Sequence, residues 1–322
     1  MIRILNAEPA GYCSKARAVL ERVGEVTEKG VTRAELLECL SGFDVLIVRL
    51  NLQIDREIID AGSALRVICS ATTGLDHLDV EYARSRGIEV LSLFGETEFL
   101  RSIAATAEHT WALLLALFRR IPAAFEAVRS GQWERNNFRG NDLQGKHLGI
   151  LGLGRIGEKV ARYGQAFGMS VSAFDPNPVR WVEGVRRAET MRELLENADV
   201  LSVHVPLNPA TFHLIGRNEL ALLPATAVLI NTSRGAVIDT TALLESLEQG
   251  QLAGAALDVL EGEGDVGSLL TSPILDYARS HQNLIVTPHI GGATWDSMAA
   301  TEIFMAEKVA RFCAESANVT RC

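Results

Sequence analysis

Short apolar runs alternate with amphipathic segments along almost the whole chain. Over the first hundred residues, 2–5, 45–49, 67–69 and 89–92 read as strands. Helical patterns near 12–22, 33–40, 55–61 and 79–86 separate them. That order predicts a small parallel sheet with crossover helices. A longer helical run covers 104–120, and Pro122 falls inside a continuing pattern that opens a second helix ending at Arg129. From His147 the β-α-β alternation resumes. Strands are predicted at 147–151, 170–174, 199–203, 227–231, 254–257 and 284–286, with helices such as 190–197 and 240–249 between them. Six strands with crossovers make a full doubly wound domain. A last helix is predicted over 295–315. The fold class is therefore two-domain α/β.

The most informative strand-to-helix junction lies in mid-chain. His147-Leu148-Gly149-Ile150-Leu151 runs straight into Gly152-Leu153-Gly154-Arg155-Ile156-Gly157, a G-x-G-x-x-G sequence between a strand and a helix. In that setting Gly152 permits a tight turn, Gly154 lets a pyrophosphate approach backbone, and Gly157 lets helix and strand pack closely. The helix start, with Arg155 and Ile156, offers free N–H groups and a positive dipole end to phosphates. Ile156, Val160, Tyr163 and Phe167 then recur at helical spacing, and Gly168 stops the pattern. The next strand ends at Asp175, eighteen residues past Gly157. An acid at about this distance accepts the ribose 2′-OH of NAD and repels the 2′-phosphate of NADP. No arginine follows until Arg180. The expected cofactor is NAD.

Composition narrows the field. The 322 residues suffice for two domains, and 48% apolar with 22% charged residues allows packed cores. A net charge of −9 argues against nucleic acid or an anionic membrane as partner, while leaving a locally positive site for a small anion open. The five cysteines, Cys13, Cys39, Cys69, Cys313 and Cys322, form no C-x-x-C pair or zinc spacing. They read as free thiols of a cytoplasmic protein. No signal-peptide pattern opens the chain, and the apolar run Trp111 to Phe118 is too short to span a bilayer. The Asn318-Val319-Thr320 sequon is accordingly read as without meaning. No cluster has metal-ligand spacing, so no metal is expected.

Three downstream segments carry candidate chemistry, each at the C-terminal end of a predicted strand, where open α/β sheets bind ligands. They are Asn231-Thr232-Ser233-Arg234-Gly235, Asp258 to Glu263, and Thr287-Pro288-His289-Ile290-Gly291-Gly292. A cation, a carboxylate and an imidazole converging there suit hydride chemistry on a carbonyl. By residue type alone Glu261 competes with Glu263, and His77, His109, His147 and His204 are further candidates; His109 reads as a packed helix residue.

These segments resemble the D-isomer-specific 2-hydroxyacid dehydrogenases in order and spacing. The likeness takes in Gly152 to Gly157, His204-Val205-Pro206-Leu207, Asn231 to Gly235, Gly254 to Asp258, Thr287 to Gly292, Thr73-Gly74-Leu75-Asp76 and Ala107-Glu108-His109-Thr110. The resemblance implies a Rossmann-type NAD domain over 104–289 and a smaller flavodoxin-like substrate domain made of 1–103 and 290–322, with a cleft between them. It implies that Arg234 holds the substrate carboxylate and the C2 oxygen, as a planar, permanently charged fork can. It makes His289 the proton donor and acceptor, and Glu263 the carboxylate that favours its protonated form. In this chain Gly264 follows Glu263 where the family commonly has proline. Thr232, His204, Pro206 and Asp258 are implied on the cofactor, with Asp258 facing the nicotinamide carboxamide and His204 the adenine side. Thr73 and Gly74 would cradle the substrate carboxylate, and Arg49 or Arg101 could take a second anionic group. The implied reaction is reversible, NAD-dependent interconversion of a small anionic 2-oxo acid and its D-2-hydroxy acid by a homodimer, with contacts from the interdomain helix near 104–120 and the Trp133 region. Two other readings stay open: an NAD-sensing corepressor-like binding protein, and a dehydrogenase of a non-carboxylate oxyanion such as phosphite. With no segment expected after the final helix, feedback control through an added domain is not expected.

Overall fold

A computed structural model describes residues 1–319, with side chains to 315. Thr320 of the sequon and Cys322 lie outside the described residues. The chain divides into two compact units, one of residues 1–103 with 294 onward, the other Ala104–Ala293.

The first unit holds strands β1 (Ile2–Asn6), β2 (Gly24–Glu28), β3 (Val45–Val48), β4 (Val67–Ser70) and β5 (Glu89–Leu91). They form one parallel sheet in the order β2-β1-β3-β4-β5, the flavodoxin-like arrangement. β3 and β4 are buried on both faces, as the uninterrupted apolar runs Val45–Val48 and Val67–Cys69 require of central parallel strands. Helices start where side chains cap them. Thr32 and Glu35 form a reciprocal capping box before Arg33–Cys39, and Asp55 accepts from the Ile58 N–H ahead of Arg56–Ala61. The helix Trp295–Val319 covers the opposite face, burying Met305, Ala306 and Val309 against Ile4, Val45 and Val67. Strand β2 adds to the strands that the sequence pattern predicts. It is an edge strand with partly exposed side chains and no apolar alternation, and its Gly24 lies where a Cβ would be 2.4 Å from the Ile2 carbonyl oxygen.

The second unit carries β6 (His147–Leu151), β7 (Ser170–Phe174), β8 (Arg186–Arg187), β9 (Val200–Val203), β10 (Val228–Asn231), β11 (Gly254–Leu257) and β12 (Leu284–Val286). Its parallel sheet runs β12-β11-β10-β9-β6-β7-β8, reversing direction between β6 and β9. This is the doubly wound order whose switch point lies at the end of β6, where the glycine loop begins. The added edge strand β8 is two exposed arginines, too short and too polar to leave a pattern. One core packs the face lined by Leu201, Leu229 and Ala255; the other packs the face lined by Leu148, Ile150 and Ile230. On the latter face Trp111 of the helix Ala105–Phe118 stacks on Phe167 at 4.7 Å. Among the described residues no helix is long and apolar enough to cross a membrane.

Candidate active site

The turn after β6 has the shape the glycines predict. Gly152 adopts φ +92°, and a Cβ there would lie 2.8 Å from the His204 carbonyl oxygen. At Gly157 a Cβ would meet the Gly152 carbonyl oxygen at 2.1 Å, so helix Arg155–Ala166 can approach β6 only with glycine at that position. A Cβ on Gly154, by contrast, would meet nothing within 4 Å. Gly154 is the helix N-cap and makes no side-chain cap, leaving the first-turn N–H groups open toward that space. Arg155 stands at this terminus, and burial lowers its pKa. Open backbone, a helix N-terminus and an arginine together fit a dinucleotide pyrophosphate.

Asp175 is fixed at the end of β7. Its Oδ2 accepts from Leu153 N at 2.8 Å and Oδ1 from Asn177 N at 2.9 Å, which ties the carboxylate to the glycine loop. Arg180 is turned away to Glu158, donating from Nε at 2.6 Å and also from Nη2. On the other side of the loop, burial pushes the His204 imidazole down to about 3, so it is neutral. Its Nε2 lies 2.7 Å from Ser202 Oγ, while Nδ1 is buried without a partner. Pro206 is exposed, and its carbonyl accepts from Thr211. Thr232 is buried, 2.8 Å from Thr110 Oγ1. Ile156 packs into the core beside β6.

The three candidate catalytic residues follow the neighbouring strands β10, β11 and β12, and the Glu263 and His289 side chains meet there. Arg234 follows β10, half-buried, with Nη1 donating to the Ser233 carbonyl at 2.7 Å. Gly235 sits so close to the next loop that a Cβ would lie 2.0 Å from the Leu260 carbonyl carbon. That contact presses the Arg234 turn onto the segment carrying Glu263. The loop turns at Gly262, φ +78°. Glu263 Oε2 accepts from Leu260 N at 3.2 Å, and Oε1 lies 2.7 Å from His289 Nδ1. The carboxylate can only accept, so Nδ1 carries the proton and Nε2 is the ring nitrogen facing away from Glu263. Glu261 turns instead to His213 Nε2 at 3.0 Å.

Asp258, 1% exposed, is occupied by its own protein. Oδ1 accepts from Thr287 Oγ1 at 2.6 Å and Ile290 N at 2.9 Å and lies 3.1 Å from His109 Nε2; Oδ2 accepts from Gly291 N at 2.7 Å. Burial alone pushes its pKa up, but these hydrogen bonds outweigh that and hold it below the usual carboxylate range. The expectation that Asp258 faces the nicotinamide did not anticipate this clamp on the His289 loop. Nor did the reading of His109 as a packing residue anticipate its polar contacts. No motif signals them, because the partners lie far apart in sequence.

The expected substrate-binding residues belong to the first unit. Thr73 is exposed, and Gly74 is held by Thr72 Oγ1, which donates to its carbonyl at 2.8 Å. Arg49 is drawn into a network: its guanidinium binds Glu302 and donates to the Ala10 carbonyl at 2.7 Å. Glu302 is 2% exposed, so a substrate anion would have to compete with a buried carboxylate for Arg49. Arg101 is exposed at the end of the helix Thr97–Leu100.

The model of the D-isomer specific 2-hydroxyacid dehydrogenase NAD-binding domain matches residues 111–291. The chain belongs to that family. The glycine loop, Asp175, Arg234, Asp258, Glu263 and His289 lie within the matched NAD-binding domain, and NAD is its cofactor. Among similar 2-hydroxyacid dehydrogenases, the chain is 38% identical over 313 residues to D-3-phosphoglycerate dehydrogenase of Methanocaldococcus jannaschii, covering 96% of this chain and 57% of that protein. It is 35% identical over 291 residues to hydroxypyruvate reductase of Thermotoga maritima, covering 88% and 90%. A solved structure of a Thermus thermophilus protein superposes with a TM-score of 0.83 at 37% identity, covering 95% of each chain. The chain spans little more than half the length of the first curated relatives it matches.

Proposed function

We propose that this 2-hydroxyacid dehydrogenase family member interconverts a small 2-oxo acid and its D-2-hydroxy acid. The observation that carries this reading is the 2.7 Å pairing of His289 Nδ1 with Glu263, on a loop packed against the Arg234 turn. The second unit is the NAD domain and the first the substrate domain. When bound, NAD supplies or accepts the hydride at C2. Gly152, Gly154, Arg155, Gly157 and Asp175 hold the cofactor, with His204, Pro206 and Thr232 beside it. Arg234 orients the substrate by its carboxylate and C2 oxygen, a bidentate task for a guanidinium. His289 gives a proton from Nε2 to that oxygen in reduction and takes it back in oxidation, while Glu263 keeps the Nδ1 proton in place. Thr73 and Gly74 offer backbone N–H groups to the carboxylate. Arg101 is the better candidate of the two arginines for a second anionic group, since Arg49 is committed to Glu302.

We infer a homodimer. Ile121, Phe125 and Val128 expose one face of the helix Ile121–Arg129, and Trp133 beyond it is 89% exposed. Four large apolar side chains at one place on a surface mark an association site. Cys13, Cys39, Cys69 and Cys313 are free, which suits the cytoplasm.

The test is NADH oxidation with glyoxylate, hydroxypyruvate, phosphohydroxypyruvate, pyruvate and branched 2-oxo acids, comparing wild type with His289→Ala. Turnover in wild type, lost in the variant with NADH binding kept, is the expected result. NADH binding with no turnover of any acid would overturn the reading and favour a sensing role.

A further inference from the structure

We propose that His109 is a positioning residue for His289, acting through Asp258 and Thr287. This rests on the reading of His289 as the proton donor.

Among the described residues His289 is one of three non-glycine residues with positive φ, at +54°. A side chain in the left-handed region persists only where neighbouring contacts over-determine the backbone. Asp258 provides those contacts. Its carbonyl accepts from His289 N at 2.8 Å, and its carboxylate takes the next two backbone N–H groups, of Ile290 and Gly291. A Cβ at Gly291 would stand 2.8 Å from Asp258 Oδ2, so the loop closes on the carboxylate as tightly as glycine allows. Three successive amides of the catalytic loop thus hang on one residue.

That carboxylate needs its own orientation, and β11 ends one residue before it. His109 supplies the orientation from the helix Ala105–Phe118. Its Nε2 is 3.1 Å from Asp258 Oδ1 and 3.0 Å from Thr287 Oγ1. The Thr287 hydroxyl already donates to Oδ1, so its oxygen is an acceptor toward His109, as the carboxylate must be. Nε2 therefore bears the proton and is shared between the two. The imidazole fixes the carboxylate plane, the plane fixes two amides, and the amides hold His289 where its ring meets Glu263. A catalytic group displaced by about 1 Å loses on the order of 10²-fold in rate.

The experiment compares wild type, His109→Ala, His109→Gln and Thr287→Val. Glutamine can return an N–H donor near the position of Nε2. Expected for His109→Ala are a kcat at least about tenfold lower with NADH affinity changed less than about threefold. Amide hydrogen exchange should rise at residues 289–291 and not across the unit, His109→Gln should recover much of both, and Thr287→Val should move in the same direction as alanine. Unchanged exchange at 289–291 in His109→Ala would overturn the proposal, whatever the activity. So would equal losses in alanine and glutamine variants with exchange raised throughout the unit, which is general destabilisation. If wild type turns over no 2-oxo acid, the functional reading fails while the exchange arm still decides the clamp.

Discussion

Glu263 Oε1 lies 2.7 Å from His289 Nδ1, whereas Glu261, two residues earlier, turns to His213 at 3.0 Å. The glycine turn at 262 sends the two carboxylates to different histidines. Of the two, Glu263 pairs with the ring proposed to transfer the proton. Glu263→Gln is expected to lower kcat/KM for 2-oxo acid reduction by roughly 10²-fold, within the range of general acid–base assistance. Glu261→Gln should stay within about threefold of wild type, since its side chain pairs with His213 and not with His289. Steady-state kinetics on the two variants side by side checks this, and equal losses would remove the distinction.

The choice between these glutamates shows where sequence reading reaches its limit. The family resemblance implies Glu263, but a residue type cannot report which way a turn projects it. The glycine loop was legible because each glycine answers a local steric demand: the turn at Gly152, the contact at Gly157 and the open space at Gly154. Central strands such as Val45–Val48 and Val228–Asn231 were legible because burial on both faces demands continuous apolar runs. Strand β2 and the two-residue β8 were not, because edge pairing uses backbone and leaves side chains free to be polar. The bonds of His109 to Asp258 and Thr287 were invisible for a further reason: they join residues 149 and 178 positions apart.

Cofactor choice turns on a second carboxylate. Asp175 is tied to the glycine loop through the Leu153 amide, and Arg180, which could meet a 2′-phosphate, is held by Glu158. Glu158 is only 8% exposed and anchored on the helix after the loop, so the arginine is restrained from below. Glu158→Ala releases it, and Asp175→Asn removes the repelling charge while keeping an oxygen for the Leu153 amide. The double variant is expected to raise kcat/KM for NADPH by about tenfold or more, the worth of one charge-assisted hydrogen bond. Parallel NADH and NADPH titrations check it; unchanged discrimination would mean that other contacts set the preference.

His204 links the same loop to pH. Burial lowers its folded-state pKa to about 3, below the ordinary histidine value of about 6.5. Above the ordinary value the ring is neutral in both states and no stability is lost. As pH falls below it, the unfolded chain binds a proton that the folded chain refuses, so stability declines until the folded ring titrates in turn. The slope approaches about 1.4 kcal/mol per pH unit, which amounts to about 1 kcal/mol between about pH 7 and pH 5.5. Denaturant unfolding at the two pH values should show wild type losing that much more stability than His204→Gln, whose side chain does not titrate. Equal losses would place the ring in contact with water.

The exposed face of the helix Ile121–Arg129 gives the last expectation. Ile121, Phe125 and Val128 are 51%, 62% and 53% exposed and fall at i, i+4 and i+7, one stripe of the helix, with Trp133 just beyond. The opposite side buries Ala127, so the helix is docked on its own unit through a small residue and turns its large apolar ones outward. A stable monomer gains nothing from that arrangement, while a two-fold contact would bury the stripe against its own copy. Aromatic residues at the centre of such a contact commonly carry about 2 kcal/mol or more each. Phe125→Glu puts two like charges across the axis and is expected to shift the protein from dimer to monomer in sedimentation equilibrium, with Trp133→Ala intermediate. NADH binding should persist in both variants, because the glycine loop and Asp175 lie in the same unit without needing a partner. A wild-type monomer, or a Phe125→Glu variant that still dimerises, would show that this stripe is not the contact.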